Sequence, residues 1–481
     1  MKGKFLSSLF LLVLLNLLVK PFYILGIDAE VQNRVGEEVY GNYYALLNFS
    51  FLLNILLDLG ITNYNTRNIA QHPQLLAKHF FKILTLRFAL FSLYAAFTLI
   101  SGAIMGYDSN EFYILAILLV NQFLVAIIQF SRSNFAGLHL FKTDALISIL
   151  DRALLIAFVS ILLWTNWVGD TFKIEWFVYA QTLAYGISAF ISVSMLSRKI
   201  EQIKISLKKT FSLAILRQSL PYALLIFLMM MYNRIDAVML ERMLDDGDTQ
   251  AGIYAQGFRI LDAVNMFALL FAGLLLPIFA RLLKKKEDVS EMMHLAFRIL
   301  VGISIIVSLV LYFHSSGLIK ARYEGASWES VMSFSLLILS FVPVAVTYVF
   351  GTLLTANGSL KQLNYMALFG LALNVVLNLA LIQEYKAVGA AGATLITQSI
   401  TAIIQLILVY RIVKVKFEIG IYLKLLALSV LVFGGLFAYF KSDLPVYPLL
   451  GTILSGLIGV GIAFALGIFK ISDIRQIRSE D

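Results

Sequence analysis

The stretch SVMSFSLLILSFVPVAVTYVFGTLLTA, residues 330–356, contains no charged residue. It is longer than the roughly 20 apolar residues that a helix needs to cross the hydrocarbon core of a bilayer. Similar runs follow one another along the 481 residues, of which 60% are hydrophobic and only 14% are charged. A soluble protein is about 25% charged, so this composition excludes a water-soluble fold. The runs are too long for the roughly ten-residue strands of a membrane barrel, and the sequence therefore predicts an all-α integral membrane protein.

Each apolar run between charged or turn-rich stretches is interpreted as one membrane helix. The first run follows Lys2 and Lys4, as in a secretory signal, but it continues past Pro21 without a convincing small-residue cleavage site and is counted as a helix. The sequence thus predicts about fourteen transmembrane helices, near residues 5–27, 39–62, 80–105, 111–138, 143–167, 174–198, 213–241, 251–283, 290–315, 327–356, 360–383, 387–412, 419–440 and 446–469.

Lysine and arginine are distributed unevenly between the two sides of the predicted membrane. The termini and the loops after even-numbered helices form one side, here called the basic side, with clusters such as Lys284–Lys286. The other side, here called the acidic side, carries Asp28, Asp108, Asp170 and the run from Asp245 to Asp248. Positively charged loops are retained in the cytoplasm, so we expect both termini to be cytoplasmic. The net charge of +9 then reflects topology and attraction to anionic lipids rather than binding of nucleic acid.

The sequence lacks the patterns of common catalytic and cofactor sites. It contains no cysteine, and hence no disulfide, thiol nucleophile or thiolate metal site. The five histidines are scattered without ligand spacing, and neither a Gly-x-x-x-x-Gly-Lys-Ser/Thr nucleotide loop nor a His-Glu-x-x-His zinc site occurs. We therefore expect a transporter rather than an enzyme, with no cofactor and no metal site.

Two pairs of similar segments predict an internal repeat. Gly41-Asn42-Tyr43 opens the second helix and Gly252-Ile253-Tyr254 opens the eighth, while Gln181-Thr182-Leu183 and Ala393-Thr394-Leu395 lie in the sixth and twelfth helices. Both pairs are six helices apart, which favours two pseudo-symmetric six-helix bundles around a central cavity that binds the substrate, plus two C-terminal helices. The predicted domains are residues 1–200, a linker at 201–212, residues 213–415, and residues 416–481 with the last two helices and a short tail.

Charges inside predicted spans are costly in lipid and usually face a cavity or a partner. Lys20 in the first helix can either snorkel to an interface or line a cavity. Arg234 and Asp236 in the seventh helix cannot face each other, and Arg234 is preferred for a cavity because a guanidinium suits phosphate oxygens. Arg259 and Asp262 are three residues apart, so they form either an ion pair or a ligand site. The other charges with a choice between cavity and structural roles are Asp58, Arg67 as an anchor on the basic side, and Arg152, which is preferred for a cavity.

Four motifs carry a family resemblance. They are Gly41-x-Tyr43, Asp58-Leu59-Gly60-Ile61 followed by Arg67, Arg234-Ile235-Asp236, and Gly252-x-Tyr254. Together with the fourteen helices they resemble the polysaccharide-biosynthesis flippases of the O-antigen type. These belong to the multidrug/oligosaccharidyl-lipid/polysaccharide (MOP) exporter superfamily, which also contains multidrug and toxic compound extrusion transporters and lipid II flippases. The resemblance covers essentially the whole chain.

The resemblance implies a flippase in the bacterial inner membrane. It would move an undecaprenyl-pyrophosphate-linked oligosaccharide, such as an O-antigen unit for lipopolysaccharide, to the outer leaflet by alternating access. The cations implied to hold the diphosphate are Lys20, Arg152, Arg234 and Arg259. The acids implied in coupling to H⁺ or Na⁺, or in pairing, are Asp58, Asp236 and Asp262. The amides that can contact sugar, or instead join helices, are Asn16, Asn48, Asn54, Gln122, Asn374 and Asn378. Further candidate partners are membrane lipids and the polysaccharide polymerase and chain-length proteins.

Other functions remain open at this stage. A lipid II flippase and a cation-coupled multidrug exporter share the superfamily, and the intramembrane carboxylates suit an exporter. A membrane-embedded enzyme or scaffold of a glycan pathway is the alternative from another class, although short loops and the absence of a catalytic constellation count against an enzyme. The number of intramembrane Arg and Lys residues favours an anionic substrate.

Overall fold

The computed structural model describes residues 16, 18–62, 65, 66, 69, 72, 74–138, 140–165, 172–198, 200, 209–416, 418–442 and 448–470. Throughout these residues all regular secondary structure is helical. Several predicted features lie outside them, namely the start of the first helix, the anchor Arg67, most of the 201–212 linker and the C-terminal tail from residue 471.

The described residues form fourteen successive helical segments, α1 to α14, which confirms the predicted number. Their bounds are α1, residues 18–35; α2, Glu37–Leu52 and Ile55–Asp58; α3, Leu75–Met105; α4, Ser109–Gly137; α5, Phe141–Trp164; α6, Ile174–Ser197; α7, Lys209–Met243; α8, Gly247–Lys285; α9, Ser290–Phe313; α10, Trp328–Leu339 and Phe341–Ala356; α11 and α12, together Leu360–Leu408; α13, Ile419–Lys441; and α14, Pro448–Ala465. A further short helix, Ser315–Arg322, joins α9 to α10.

Ten helical stretches of the described chain are long and apolar enough to span a bilayer on their own, and one of them, Leu360–Val413, contains both α11 and α12. Large apolar side chains remain exposed along these helices, for example Phe190 (74%) and Val430 (62%). Exposed apolar surface of this extent suits contact with lipid rather than water.

α11 and α12 form a hairpin that turns on a single residue. Lys386 has left-handed backbone angles (φ 51°, ψ −131°) and interrupts the helix Leu360–Leu408. The two arms pack antiparallel, because Thr401 lies beside Gly370 and Gln405 donates a hydrogen bond to the Met366 sulfur at 3.3 Å. At the turn, a Cβ on Gly389 would overlap the main-chain carbonyl oxygen of Leu381, so this close approach requires glycine.

The chain separates into two compact units, Met1–Glu241 (unit 1) and Arg242–Asp481 (unit 2). The predicted repeat is visible inside each of them. In unit 1, Gln181 of α6 donates a hydrogen bond to the Tyr43 hydroxyl of α2 at 2.7 Å. In unit 2, the hydroxyls of Tyr254 on α8 and Thr394 on α12 are 3.2 Å apart. In each unit, the tyrosine of the repeated motif thus joins the equivalent pair of helices, α2 with α6 and α8 with α12.

The first helix ends later than the predicted residue 27. α1 continues to Val35 and contains a π-helical turn, Tyr23–Asp28. Asp28 was assigned to a loop on the acidic side, but it lies inside the helix and is only 1% exposed. This assignment was wrong because two tyrosine hydroxyls donate hydrogen bonds to the carboxylate, so that its charge does not require contact with water.

Candidate anion-binding site

Lys20, Arg132 and Arg152 form a cluster of three cations in unit 1. They belong to α1, α4 and α5, and the ammonium of Lys20 interacts electrostatically with both guanidinium groups and with Asp151. Among the described residues, Lys20 makes no hydrogen bond and no ion pair, although its side chain is half-buried. A half-buried cation without a partner is costly in a membrane protein and indicates a site for an anion.

Arg152 is held in one orientation by two aromatic residues. Its Nη1 donates a hydrogen bond to the Tyr185 hydroxyl of α6 at 2.7 Å. Its guanidinium carbon lies 4.9 Å from the centre of the Tyr23 ring and 5.5 Å from that of Tyr185. Asp151 approaches its Nε only to 3.9 Å. A guanidinium has five N–H groups, so a fixed orientation with one strong bond leaves donors for oxygens of a bound anion.

Arg132 brings the third charge and is partly neutralised. Its Nε lies 2.7 Å from Oδ1 of Asp144 at the start of α5. The cluster therefore sets three cations against two carboxylates, Asp144 and Asp151. Sequence reasoning counted Arg132, near the end of the predicted helix 111–138, among the cations of the basic side. It did not include Arg132 in the site, because one sequence does not show that α4 and α5 bring it close to Lys20.

The buried carboxylate of Asp28 adjoins this cluster through Tyr23. A π-helix aligns residues five apart on one face, and the Tyr23 hydroxyl accordingly donates to Oδ1 of Asp28 at 3.4 Å. The Tyr40 hydroxyl of α2 donates to Oδ2 at 2.6 Å. Tyr23 thus contacts a buried acid with its hydroxyl and a half-buried cation, Arg152, with its ring. A local signal for this arrangement was present in the sequence, since Tyr23 and Asp28 both lie close to Lys20.

Arg234 of α7 lies beside α2 in unit 1. Its Nη1 is 3.5 Å from Oδ1 of Asn48, and its guanidinium carbon is 5.2 Å from the centre of the Phe51 ring. Asn48 is itself oriented by donating to the Tyr44 carbonyl at 2.7 Å. Asp236, two residues further along α7, is only 1% exposed. The structure therefore places Arg234 against an amide that was a predicted sugar contact.

Asp58 forms an ion pair that sequence reasoning missed. Its Oδ1 lies 2.5 Å from Nη2 of Arg87 on α3, and the Arg87 side chain is 1% exposed. Arg87 interrupts the apolar run of the third predicted helix, so the sequence did contain the signal that an intramembrane cation occurs there.

The predicted amide contacts in unit 1 join helices to one another. Asn16, which precedes α1, donates to Ser148 of α5 at 2.9 Å. Asn54 of α2 donates to Gln122 of α4 at 3.2 Å, and Gln122 donates in turn to Ser50 at 3.3 Å. Hydrogen bonds of this kind fix helix positions in a bilayer, where water does not compete for them.

Unit 2 contains the remaining predicted site residues. Arg259 and Asp262 are half-buried on α8. Asn374 and Asn378 on α11 are 1% and 0% exposed, and Asn378 donates to Asn374 at 3.1 Å. Within the described part of the chain, Nδ2 of Asn374 has no hydrogen-bond partner. The interior of this hairpin is therefore polar but lined by amides and hydroxyls.

Comparisons with known proteins identify relatives by sequence. A family model described as polysaccharide biosynthesis protein matches residues 5–283, which is more than half of the chain. An uncharacterized membrane protein of Methanocaldococcus jannaschii is 26% identical over 398 residues, which are 79% of this chain and 92% of the relative.

Comparisons with solved structures identify the fold. A lipid II flippase MurJ in an inward closed conformation superposes with a TM-score of 0.67 at 16% identity, covering 97% of this chain and 99% of that one. An inward-facing multidrug resistance MATE family transporter of the MOP superfamily has a TM-score of 0.62 at 13% identity, covering 84% and 100%. These similarities confirm the predicted fold class.

Proposed function

Because the chain belongs to the polysaccharide biosynthesis protein family, whose model matches more than half of it, we propose that it is a flippase for a lipid-linked oligosaccharide. The substrate is a polyprenyl diphosphate, of the undecaprenyl type in bacteria, that carries the oligosaccharide. Transport runs from the basic, cytoplasmic side of the membrane to the opposite leaflet by alternating access. The observation that carries this proposal is the unpartnered Lys20 beside Arg152 and Arg132 in unit 1.

The chemistry of the cation cluster suits a diphosphate. Phosphate oxygens accept hydrogen bonds from a planar guanidinium in pairs, while an ammonium acts as a compact point charge. Arg152 provides an oriented guanidinium between Tyr23 and Tyr185, and Lys20 provides an ammonium that forms no hydrogen bond or ion pair among the described residues. A neutral or cationic drug would gain nothing from these groups.

The position of the cluster suits loading from the basic side. Arg132 is five residues from the end of α4, and Arg152 lies eleven residues into α5, about 16 Å along that helix. Both helix ends belong to the side whose loops are rich in lysine and arginine, and such loops stay in the cytoplasm. Lipid-linked sugars assembled at the cytoplasmic leaflet would meet the cluster without first crossing the membrane.

The decisive experiment is reconstitution of the purified protein in liposomes with a fluorescent polyprenyl-diphosphate oligosaccharide. We expect a protein-dependent increase in the fraction of label accessible from the opposite leaflet. Lipid II and a cationic dye are assayed in parallel, because preferential movement of either one would replace the proposal by a lipid II flippase or a drug exporter. Polymerisation or ligation of the glycan without translocation would show an enzyme instead.

Substitution of the cluster tests the binding site. We expect Arg152→Ala and Lys20→Ala each to lower the translocation rate roughly thirtyfold or more, because each removes one of the charges that bind the diphosphate. Arg34→Ala is the matched control, since Arg34 is an exposed cation on α1 that pairs with Glu30 at 3.5 Å. Normal translocation by both cluster variants, with membrane insertion intact, would remove the cluster from the substrate site.

A further inference from the structure

α2 is interrupted twice where it crosses unit 1. The first interruption follows Leu52, where Leu53 and Asn54 form a turn before the short helix Ile55–Asp58. The second follows Asp58, where Leu59 (φ 44°) and Gly60 (φ 79°) adopt left-handed backbone angles. Within a bilayer, irregular backbone of this kind is tolerated only where protein groups satisfy the carbonyl and amide groups that leave the helix.

Arg87 satisfies the backbone at the second interruption. Its Nη1 donates to the Leu57 carbonyl at 3.2 Å and to the Ala126 carbonyl of α4 at 3.4 Å. Its Nη2 donates to Asp58 at 2.5 Å and to the Thr62 hydroxyl at 2.9 Å. Asp58 and Thr62 also bond to each other. One guanidinium therefore ties the residues before and after the left-handed pair to α4.

A second residue of α3 satisfies the first interruption. The Tyr94 hydroxyl donates to the Ser50 carbonyl at 2.6 Å, and Gln122 of α4 donates to the Ser50 hydroxyl. The bond from Tyr94 therefore fixes the end of the segment Glu37–Leu52, here called the outer segment of α2. The bonds from Arg87 fix the turn after Asp58. This outer segment is the part of α2 that carries Asn48 and Phe51, the two residues in contact with Arg234.

We propose that Arg87 is a positioning residue for transport, which holds α2 in two segments and thereby sets Asn48 and Phe51 against Arg234. This inference rests on the proposed function, because Arg234 is one of the cations assigned to the diphosphate. Arg87 itself is 1% exposed and does not touch the substrate. A straight or freely bending α2 would carry the outer segment away from its place beside Arg234.

A distance measurement on α2 tests the structural part of the proposal. The chain has no cysteine, so Val39→Cys and Thr66→Cys provide two spin-label sites, one on each side of the interruptions. We expect a single narrow distance distribution in the native background and a broader one in Arg87→Lys, whose ammonium cannot make four separate bonds in this geometry. The Asp58→Asn/Arg87→Met variant removes both charges, so it retains the fold while freeing the turn.

The matched control is Arg298→Lys in unit 2. Arg298 is also a membrane-helix arginine that donates to a main-chain carbonyl, that of Ile468, at 2.5 Å. We expect this variant to leave both the distance distribution across α2 and transport unchanged. An unchanged distribution in both Arg87→Lys and the double variant would overturn the positioning role.

A double-mutant cycle tests the connection to Arg234. We expect Arg87→Lys to lower transport about tenfold and Asn48→Ala about fivefold. If Arg87 acts through Asn48, the combined variant should lose about tenfold and not the roughly fiftyfold that independent sites would give. A fully additive loss would overturn the proposed connection.

The two proposals fail in different ways. If the native protein does not move lipid-linked oligosaccharides but the distances respond as expected, the function is wrong and the role of Arg87 in shaping α2 stands. The opposite outcome is that transport occurs while Arg87→Lys leaves the spin-label distances across α2 unchanged and the double-mutant cycle is additive. In that case the function stands and the positioning role of Arg87 is wrong.

Discussion

In unit 1 the fourth helix begins with a capping box between Asp108 and Glu111, and in unit 2 the corresponding helix α10 begins with one between Ser327 and Ser330. Tyr43 and Tyr254 likewise bond α2 to α6 and α8 to α12. The residue types have changed while the contacts have been kept. The comparison teaches that helix ends and helix pairing are the common scaffold of the two units.

The interiors of the two units differ. Unit 1 brings together the cluster of Lys20, Arg132 and Arg152, and it also contains the buried Asp28 and the Asp58–Arg87 pair. In the hairpin of unit 2, the described buried polar groups are amides and hydroxyls, such as Asn374, Asn378, Thr397, Thr401 and Gln405. The same scaffold therefore surrounds a charged interior in one unit and an uncharged polar one in this hairpin, and the proposed diphosphate site belongs to the charged interior.

The connections between the last two helices of each repeat also differ. In unit 1, α5 ends at Trp164 and α6 begins at Ile174, whereas in unit 2 Lys386 alone separates α11 from α12. The single-residue turn works only because Gly389 allows the Leu381 carbonyl to approach. Unit 2 therefore depends on one glycine in a way that the longer connection of unit 1 does not require.

The largest expected effect comes from Gly389→Ala. The added methyl group would overlap the Leu381 carbonyl oxygen, so we expect a loss of about 3 kcal/mol of stability and little correctly folded protein. Thermal unfolding in detergent, followed by size-exclusion chromatography, measures it. Gly392→Ala is the control on the same helix, because nothing lies within 4 Å of its Cβ position. Equal stability of the two variants would show that the tight turn does not distinguish the units.

The next effect concerns one cation from each unit. We expect Arg234→Ala and Arg259→Ala each to lower translocation about tenfold while leaving membrane insertion intact, since each removes an intramembrane cation that is assigned to the diphosphate. The liposome assay with the polyprenyl-diphosphate oligosaccharide measures the rates. Impairment by Arg234→Ala alone would assign substrate binding to unit 1, and full activity of both variants would remove these residues from the site.

The number of helices could be predicted from the sequence because apolar runs and alternating loop charge are local signals. Even the hairpin at Lys386 was placed correctly between predicted helices at 360–383 and 387–412. The two interruptions in α2 could not be predicted, because they depend on side chains of α3 and α4 that satisfy the freed backbone groups. Asp28 was misassigned because the end of an apolar run does not show that the hydroxyls of Tyr23 and Tyr40 satisfy its carboxylate inside the helix.

The candidate site was predicted in part. Lys20 and Arg152 were selected because each is a charge inside an apolar run, and the structure brings them into one cluster. Arg132 lies near a helix end, where a charge normally contacts headgroups, so the sequence contained no reason to select it. Which amides join helices and which reach a ligand also depends on packing, as the bond from Asn54 to Gln122 illustrates.

A smaller effect is expected from removing the two equivalent tyrosine hydroxyls. Tyr43→Phe deprives Gln181 of an acceptor at 2.7 Å, whereas Tyr254→Phe removes a longer contact of 3.2 Å with Thr394. Interhelical hydrogen bonds in membranes contribute about 0.6 kcal/mol on average and up to about 1.7. We expect the larger value for Tyr43→Phe and the average for Tyr254→Phe in thermal unfolding. The reverse order would mean that the repeated contact is stronger in unit 2.

The smallest effect is a pH-dependent one at the hairpin of unit 2. Partial burial by itself raises the pKa of Asp246, but hydrogen bonds from Lys386 and Gln250 outweigh it and hold the pKa below its ordinary value. A carboxyl with a lowered pKa in the folded state stabilises the fold above its unfolded-state pKa, and this stabilisation is lost as the pH falls through the folded-state pKa. Because both side chains are about two-fifths exposed, Asp246→Asn should lower the melting temperature by no more than about 2 °C at neutral pH. The difference from the native protein should disappear at strongly acidic pH. Asp245→Asn, which removes a neighbouring exposed carboxylate, is the matched control. A pH-independent destabilisation by Asp246→Asn would mean that hydrogen bonds of the carboxyl group that an amide cannot replace, and not its charge, hold the turn at Lys386.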